Sequence, residues 1–339
     1  MSEPQPILDP LTPAAIFLVA TIDEGGEAVV RDTLADVQGL RRSVGFRIPG
    51  AGLNCVTSIG SAAWDRLFAG PRPAELHDFP GFVGKHHQAP ATPGDLLFHI
   101  RAENQDACFE LAMTIGDRLA GAATIIDETV GFRYFEQRDL LGFVDGTENP
   151  EGQGAYAAAL VGDADPDFRG GSYVIVQKYL HPMAEWRALS VEEQEKVIGR
   201  TKLDDFELSD ADQPADSHVA VNTIVDADGT EREILRANMP FGSVKDGEFG
   251  TYYIAYAATP SVTELMLTRM FVGTEEAAYD RILDFSIAVT GTSFFAPSLD
   301  FFDELPPPPD EAIAAADVRP NDIGSGSLGI GTLKRSTQA

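Results

Sequence analysis

Apolar residues along this chain recur with two different periods. Pro13 to Ile22 (PAAIFLVATI) is a short, almost unbroken apolar run and predicts a buried strand. Val30 to Val44 places Leu34, Val37 and Leu40 at helical spacing with polar residues between, which predicts an amphipathic helix. Leu53 to Ile59 reads as a second strand, and Ala62 to Phe68 as a short helical piece carrying Trp64. A Pro/Gly-rich connection from Pro71 to Pro93 holds His77, His86 and His87. Adjacent residues of an extended chain point to different sides, so an exposed loop fits this stretch better than a metal site. Asp95 to His99 opens a strand, and Asn104 to Leu119 forms a helix with Cys108, Leu111, Ala112, Ile115 and Leu119 on one face.

The same order then returns. Tyr173 to Tyr179 reads as a strand, Met183 to Ile198 as a helix, and residues 251–270 as an aromatic strand, a polar break and a helix. One pass ends before about residue 130 and the second begins after Ser172. This predicts a duplicated α+β unit with antiparallel sheets, and no GxGxxG or Walker sequence argues for a nucleotide fold. Ser217 to Ile224, headed by His218, alternates apolar and polar residues. With the Asp228-Gly229 turn and the segment Glu233 to Leu235, it predicts a strand pair. The link 131–171 carries LGFVDGTENP, and loops between rigid sheets are where sites are built. Pro306 to Pro309 then stop regular structure ahead of an Ala/Asp/Gly/Ser-rich tail.

Composition narrows the function classes. Among 339 residues, 53 Asp+Glu against 25 Lys+Arg leave a net charge of −28. With no basic run, a nucleic-acid backbone or a membrane is not an expected partner. Cys55 and Cys108 lack metal-ligand spacing, so buried thiols in a reducing compartment are expected. The N-terminus shows no signal-peptide pattern, which predicts a cytoplasmic protein.

A lone His at a strand start is more often a satisfied structural residue than a ligand. The balance changes when His218 is read with Asp145 and Arg236. An imidazole, a carboxylate and a guanidinium are what a haem peroxidase needs: an axial ligand, a proton shuttle and a fixed cation.

GFVDGTENP followed by SHVAVN and RANMPFG resembles the dye-decolourising peroxidase family, and most of all its B-type bacterial branch. The resemblance runs from about Phe17 to Phe302. It implies two ferredoxin-like domains, residues 1–140 and 141–305, with one haem b per chain in the second, and a linker and tail over 306–339. It implies that His218 is the proximal iron ligand, Asp145 and Arg236 the distal pair, and Asn238 their polar neighbour. Arg200 resembles a residue that meets a haem propionate. Asp280 is preferred over Asp284, one helical turn away, as the acid that holds His218. The implied activity is reduction of hydrogen peroxide with one-electron oxidation of dyes, phenolic compounds or other reducing aromatics. Large donors cannot enter a pocket sized for peroxide, which makes Trp64, Trp186, Tyr134 and Tyr179 candidate electron relays. Mn(II) is a further candidate donor, through Glu148, Glu207 and Glu231. A non-catalytic haem or iron-handling protein would use His218 but has no need of Asp145 beside Arg236. A haem enzyme of the chlorite-dismutase type would have the Arg without Asp145.

The tail sets Leu328, Ile330 and Leu333 among Gly and Ser, then Lys334-Arg335. Aliphatic residues on a flexible strand suit shallow pockets on a partner. GSLGIGTLKR is similar to the peptides that load cargo into encapsulin shells. The expectation is a homo-oligomer held inside an encapsulin nanocompartment through Gly326 to Arg335, several tails adding avidity.

Overall fold

The computed structural model describes residues 2–309. The tail segment Gly326 to Arg335 lies outside the described residues.

The N-terminal half runs β1 (Ala14–Ile22), α1 (Glu27–Arg47), β2 (Asn54–Gly60), α2 (Ser61–Leu67), a small hairpin β3 (Phe82–Val83) and β4 (Gln88–Ala89), β5 (Leu96–Ala102), α3 (Gln105–Leu119) and β6 (Ala123–Phe132). Its strands lie in the order β6-β1-β5-β2, all antiparallel. After α4 (Gly152–Ala159) the second half runs β7 (Ser172–Leu180), α5 (Met183–Ala188), α6 (Val191–Ile198), α7 (His218–Asn222), β8 (Leu235–Arg236), β9 (Met239–Ser243), β10 (Glu248–Ala257), α8 (Pro260–Phe271), β11 (Ile287–Ala288), β12 (Thr292–Ala296) and α9 (Leu299–Asp303). Its order, β12-β7-β10 with β8 and β9 beyond, repeats the first. Each half is an antiparallel α+β unit, as the duplicated pattern predicted, and it is ferredoxin-like, as the resemblance implied. No described helix is long and apolar enough to cross a membrane.

The halves join edge to edge through Phe294 and Phe295 of β12 paired with Gly60 and Ile59 of β2, giving one ten-stranded sheet. The sheet curls into a half-barrel around a shared core. Within it Phe17 of β1 stacks on Tyr252 of β10 with ring centroids 4.1 Å apart. Curling brings β6 onto β9, and Gly131 permits it, since a Cβ there would stand 2.6 Å from the Met239 Cβ. On the outer face of the first half, α1 and α3 bury Leu34, Val37, Leu111 and Ile115. Every residue of β2 and β5 is buried, because helices cover one face and the shared core the other. Cys55 and Cys108 are both buried free thiols, and burial pushes both up to about 12.

Three local expectations, on residues 217–224, 183–198 and the pair Asp280 and Asp284, are corrected. Ser217 to Ile224 is not a strand: His218–Asn222 is one helical turn capped by the Ser217 hydroxyl, which accepts the Ala220 N–H. Met183 to Ile198 is two helices, because Ser190 is extended and caps α6 by accepting the Glu193 N–H. Asp280 and Asp284 do not share a helical face. Asp280 is the extended cap of a short 3-10 turn, and the two carboxylates go to different partners. In the proline run, the Pro307 carbonyl accepts a hydrogen bond from the Ala69 N–H at 2.8 Å.

Candidate active site

A cleft with about 1430 Å³ of open space lies in the second half, between its sheet and the helices that cover it. Its apolar walls include Leu141, Phe143, Ile234, Leu267 and Met270. Its polar lining contains Asp145, Arg200, His218, Arg236 and Asn238. Five of the six residues singled out in the sequence therefore share one cavity, and the sixth, Asp280, stands directly behind His218.

One wall is built on α7. The helical turn puts His218 and Asn222, four residues apart, on the same side. His218 Nδ1 lies 2.7 Å from Asp280 Oδ2, and Asn222 Nδ2 donates to the same oxygen at 3.1 Å. The Ile282 N–H donates to Asp280 Oδ1. A fully buried carboxylate is costly unless such donors surround it. Asp280 accepts from Nδ1–H, so the lone pair sits on Nε2, which has no hydrogen-bond partner among the described residues.

His181, a second histidine on the same lining, differs. Its Nδ1–H donates to the Phe285 carbonyl at 3.1 Å, and its Nε2 lies 2.9 Å from the Thr251 hydroxyl. Both nitrogens are occupied, and burial pushes its pKa down to about 4.

A second wall comes from the loop before α4 and from β8. Asp139 opens the loop as a turn, its Oδ1 accepting the Gly142 and Phe143 N–H groups at 2.8 and 3.0 Å. Desolvation pushes its carboxyl up to about 7, those two amides opposing the shift and Asp145 adding to it. Gly146 turns the chain at φ +85°, a conformation that favours glycine, directly after Asp145. Asn149 ties the loop to β8: its Nδ2 donates to the Arg236 carbonyl at 2.8 Å and its Oδ1 accepts the Arg236 N–H at 2.9 Å. Asn238 accepts the Ile254 N–H and donates to Asp145 Oδ1 at 3.3 Å. The Arg236 guanidinium has no hydrogen bond or ion pair among the described residues, so its charge faces the cleft uncompensated.

Arg200 is placed differently. Its guanidinium donates to Glu148 Oε1 at 2.6 Å and to Asp205 Oδ1 at 3.0 Å, and stands 3.9 Å from Glu207. Glu231 joins this rim; burial first, then Glu148, Glu233 and Glu207, raise its pKa. The three glutamates proposed for Mn(II) are therefore neighbours, with Arg200 among them. Among the described residues no group of three or more His, Cys, Asp or Glu is disposed to hold a metal.

Of the aromatic relays, Trp64, Trp186 and Tyr179 are buried, and Tyr179 lines the cleft. The sequence reading assigned no role to Asn149, Asn222 or Asp139. Asn222 was detectable only from helical spacing to His218, which the strand reading hid.

Family models for the Dyp-type peroxidase N-terminal and C-terminal regions match residues 4–133 and 136–301. The chain belongs to the Dyp-type peroxidase family. Within it, it falls in the B-type bacterial branch. It is 62% identical over 335 residues to a dye-decolorizing peroxidase of Rhodococcus erythropolis, covering 99% of this chain and 98% of that one. It is 60% identical to one of Mycobacterium tuberculosis, covering 98% and 97%. Among solved structures, it is similar to the encapsulated DyP-type peroxidase from Mycobacterium smegmatis, at TM-score 0.90 and 64% identity over 91% of this chain and all of that one. It is also similar to a Rhodococcus jostii DypB variant in complex with heme, at TM-score 0.86 and 55% identity over 89% and 98%.

Proposed function

We propose that this protein is a haem-dependent dye-decolourising peroxidase, reducing hydrogen peroxide and oxidising dyes or phenolic compounds by one-electron steps. The observation that carries the reading is one cavity lined by the Asp145 carboxylate, by an imidazole whose Nε2 has no hydrogen-bond partner among the described residues, and by a guanidinium whose nitrogens have none among them either. The residues fit haem b: apolar walls suit a flat macrocycle, and the Asp280-oriented His218 Nε2 would serve as the iron ligand. Bound haem supplies the iron and the electron reservoir for the reaction. The chain supplies orientation and charge. Asp280 keeps the Nδ1 proton in place and makes Nε2 a stronger donor. Asp145 accepts a proton from one peroxide oxygen and returns it to the other, which lets the second leave as water. Arg236 stabilises negative charge on peroxide oxygen: Asn149 fixes its backbone, and no described side chain neutralises its guanidinium. Asn238 restrains the Asp145 carboxylate. A protein that only carried haem would have no use for that uncompensated guanidinium. Arg200 is assigned to the rim, where exchange of Glu148 for a propionate keeps it paired. Mn(II) as a donor would require the three glutamates to release Arg200. Peroxide-dependent bleaching of an anthraquinone dye by the haem-loaded protein tests the reading, and a loaded protein that consumes no peroxide would refute it.

The domain division at residues 140 and 305 is adopted with this function, the second domain holding the haem. The chain is further assigned as encapsulin cargo. The tail sequence supports this, as does likeness to a peroxidase that is encapsulated in Mycobacterium smegmatis. A homo-oligomer is supported by Ile125, Ile126, Val130 and Phe132, exposed along β6. Co-expression with the shell protein of the same organism tests the cargo role. Deleting residues 321–339 should abolish co-purification and leave dye oxidation intact.

A further inference from the structure

The sheet beneath the cleft carries a phenol that the proposed reaction leaves unused. β8 and β9 pair with β10 in one register, Arg236 opposite Ala255 and Met239 opposite Tyr252, which sets Tyr253 opposite Asn238. Two hydrogen bonds hold that register: the Ala237 N–H donates to the Ile254 carbonyl, and the Ile254 N–H to Asn238 Oδ1, both at 3.1 Å. Opposed residues of a strand pair share a face, with Cβ atoms about 5 Å apart, and the diagonal residues are the next neighbours. Tyr253 is therefore flanked by Asn238 and Arg236, and all three line the cleft together with Asp145. The other two tyrosines of β10 belong to the shared core. Tyr252 stacks on Phe17, and the Tyr256 hydroxyl lies 2.8 Å from His99 Nδ1. The Tyr253 ring is half-buried, standing edge-on to Tyr179 with centroids 6.5 Å apart. Tyr179 donates its hydroxyl to Gln177 Oε1 at 2.9 Å, whereas the Tyr253 hydroxyl has no hydrogen-bond partner among the described residues.

We propose that Tyr253 is a further catalytic group on the peroxide side of the cleft, donating a hydrogen bond to the oxygen whose charge Arg236 stabilises. The inference rests on the peroxidase reading above. Asp145 as a carboxylate can only accept. Asn238 is tied at both ends, its amide donating to Asp145 and its oxygen accepting the Ile254 N–H. That leaves Arg236 as the charged donor on this wall not already engaged, and an oxygen gaining negative charge accepts more than one hydrogen bond. Tyr253 supplies the second. Burial raises its pKa, Arg236 opposes that rise and Asp145 adds to it, so the O–H is intact at neutral pH and ready to donate. No bond of the tyrosine breaks and no electron leaves it. The proton that passes between the two peroxide oxygens is still carried by Asp145. A neutral hydroxyl fixed beside the guanidinium adds stabilisation where charge develops and leaves the net charge of the cleft unchanged.

The test compares the haem-loaded wild type with Tyr253→Phe, which keeps the ring and removes the hydroxyl. Its melting temperature and resting Soret spectrum should match wild type. Fluoride is the probe, a small anion that binds ferric haem on its open face and accepts hydrogen bonds. In a Soret titration fluoride should bind Tyr253→Phe about 10- to 100-fold more weakly, the worth of one hydrogen bond to a charged group. In stopped flow the reaction of the variant with peroxide should be slower by about tenfold or more. A wild-type fluoride affinity or a wild-type peroxide rate in Tyr253→Phe would overturn the inference and leave the peroxidase reading standing. A haem-loaded wild type that does not react with peroxide would overturn both.

Discussion

His218 and His181 both border the cleft, and hydrogen bonding separates their chemistry. Thr251 and Phe285 occupy both nitrogens of His181, whereas Asp280 takes only one from His218. His218→Ala should therefore lose most haem or its high-spin ferric spectrum on purification, whereas a spectrally normal variant would place the ligand elsewhere. Asp280→Ala removes the group that orients the ring, and a roughly 10–100-fold loss in haem affinity or activity is expected. Asp139 lends itself to a pH test. Its folded pKa of about 7 is raised above the ordinary 3.8, so the folded chain holds a proton that the unfolded chain sheds. Stability should then fall as pH rises from about 4 to about 7 and level off above. Asn at this position keeps an oxygen for Gly142 and Phe143 and carries no charge. The melting temperature of Asp139→Asn relative to wild type should rise over that window; a constant difference would contradict the assignment.

At the scale of elements, the helix over 105–119 was legible and the turn at His218 was not. The α3 face predicted from Cys108, Leu111, Ala112, Ile115 and Leu119 is the buried face. His218 to Asn222 misled because one helical turn and a short alternating strand share an apolar pattern, and a cap decides between them. Ser217 supplies that cap from a fully buried position, and Ser217→Ala should cost about 1 kcal/mol of stability in denaturant unfolding. The loop carrying Asp145 was legible as a motif, but its anchoring was not, because Asn149 bonds to backbone atoms 87 residues away. Asn149→Ala frees β8 from the loop. Misplacement of a charged group by about 1 Å is worth up to ~100-fold. Stopped-flow reaction with peroxide should slow accordingly while haem content changes little.

Across the whole molecule, the repeated strand and helix pattern was enough to read two α+β halves. It held no trace of how they join, since pairing of β2 with β12 links residues more than 230 positions apart. Nor does periodicity reveal that the shared half-barrel core needs glycine at 131, which only the approach of Met239 explains. The exposed apolar residues of β6 belong to this scale too. Ile126→Asp with Val130→Asp should lower the mass measured by light scattering to that of a smaller assembly, and an unchanged mass would place the oligomer interface elsewhere. The central proposal is that the cleft of the second half would hold haem, with the carboxylate-oriented His218 as the iron ligand and the Arg236 guanidinium facing peroxide. The most direct test is the stopped-flow rate at which peroxide changes the Soret band of Arg236→Leu matched to wild type in haem content. Loss of one preorganised charge predicts a rate lower by ~100–1,000-fold with the ligand spectrum preserved. A rate equal to wild type would contradict the account.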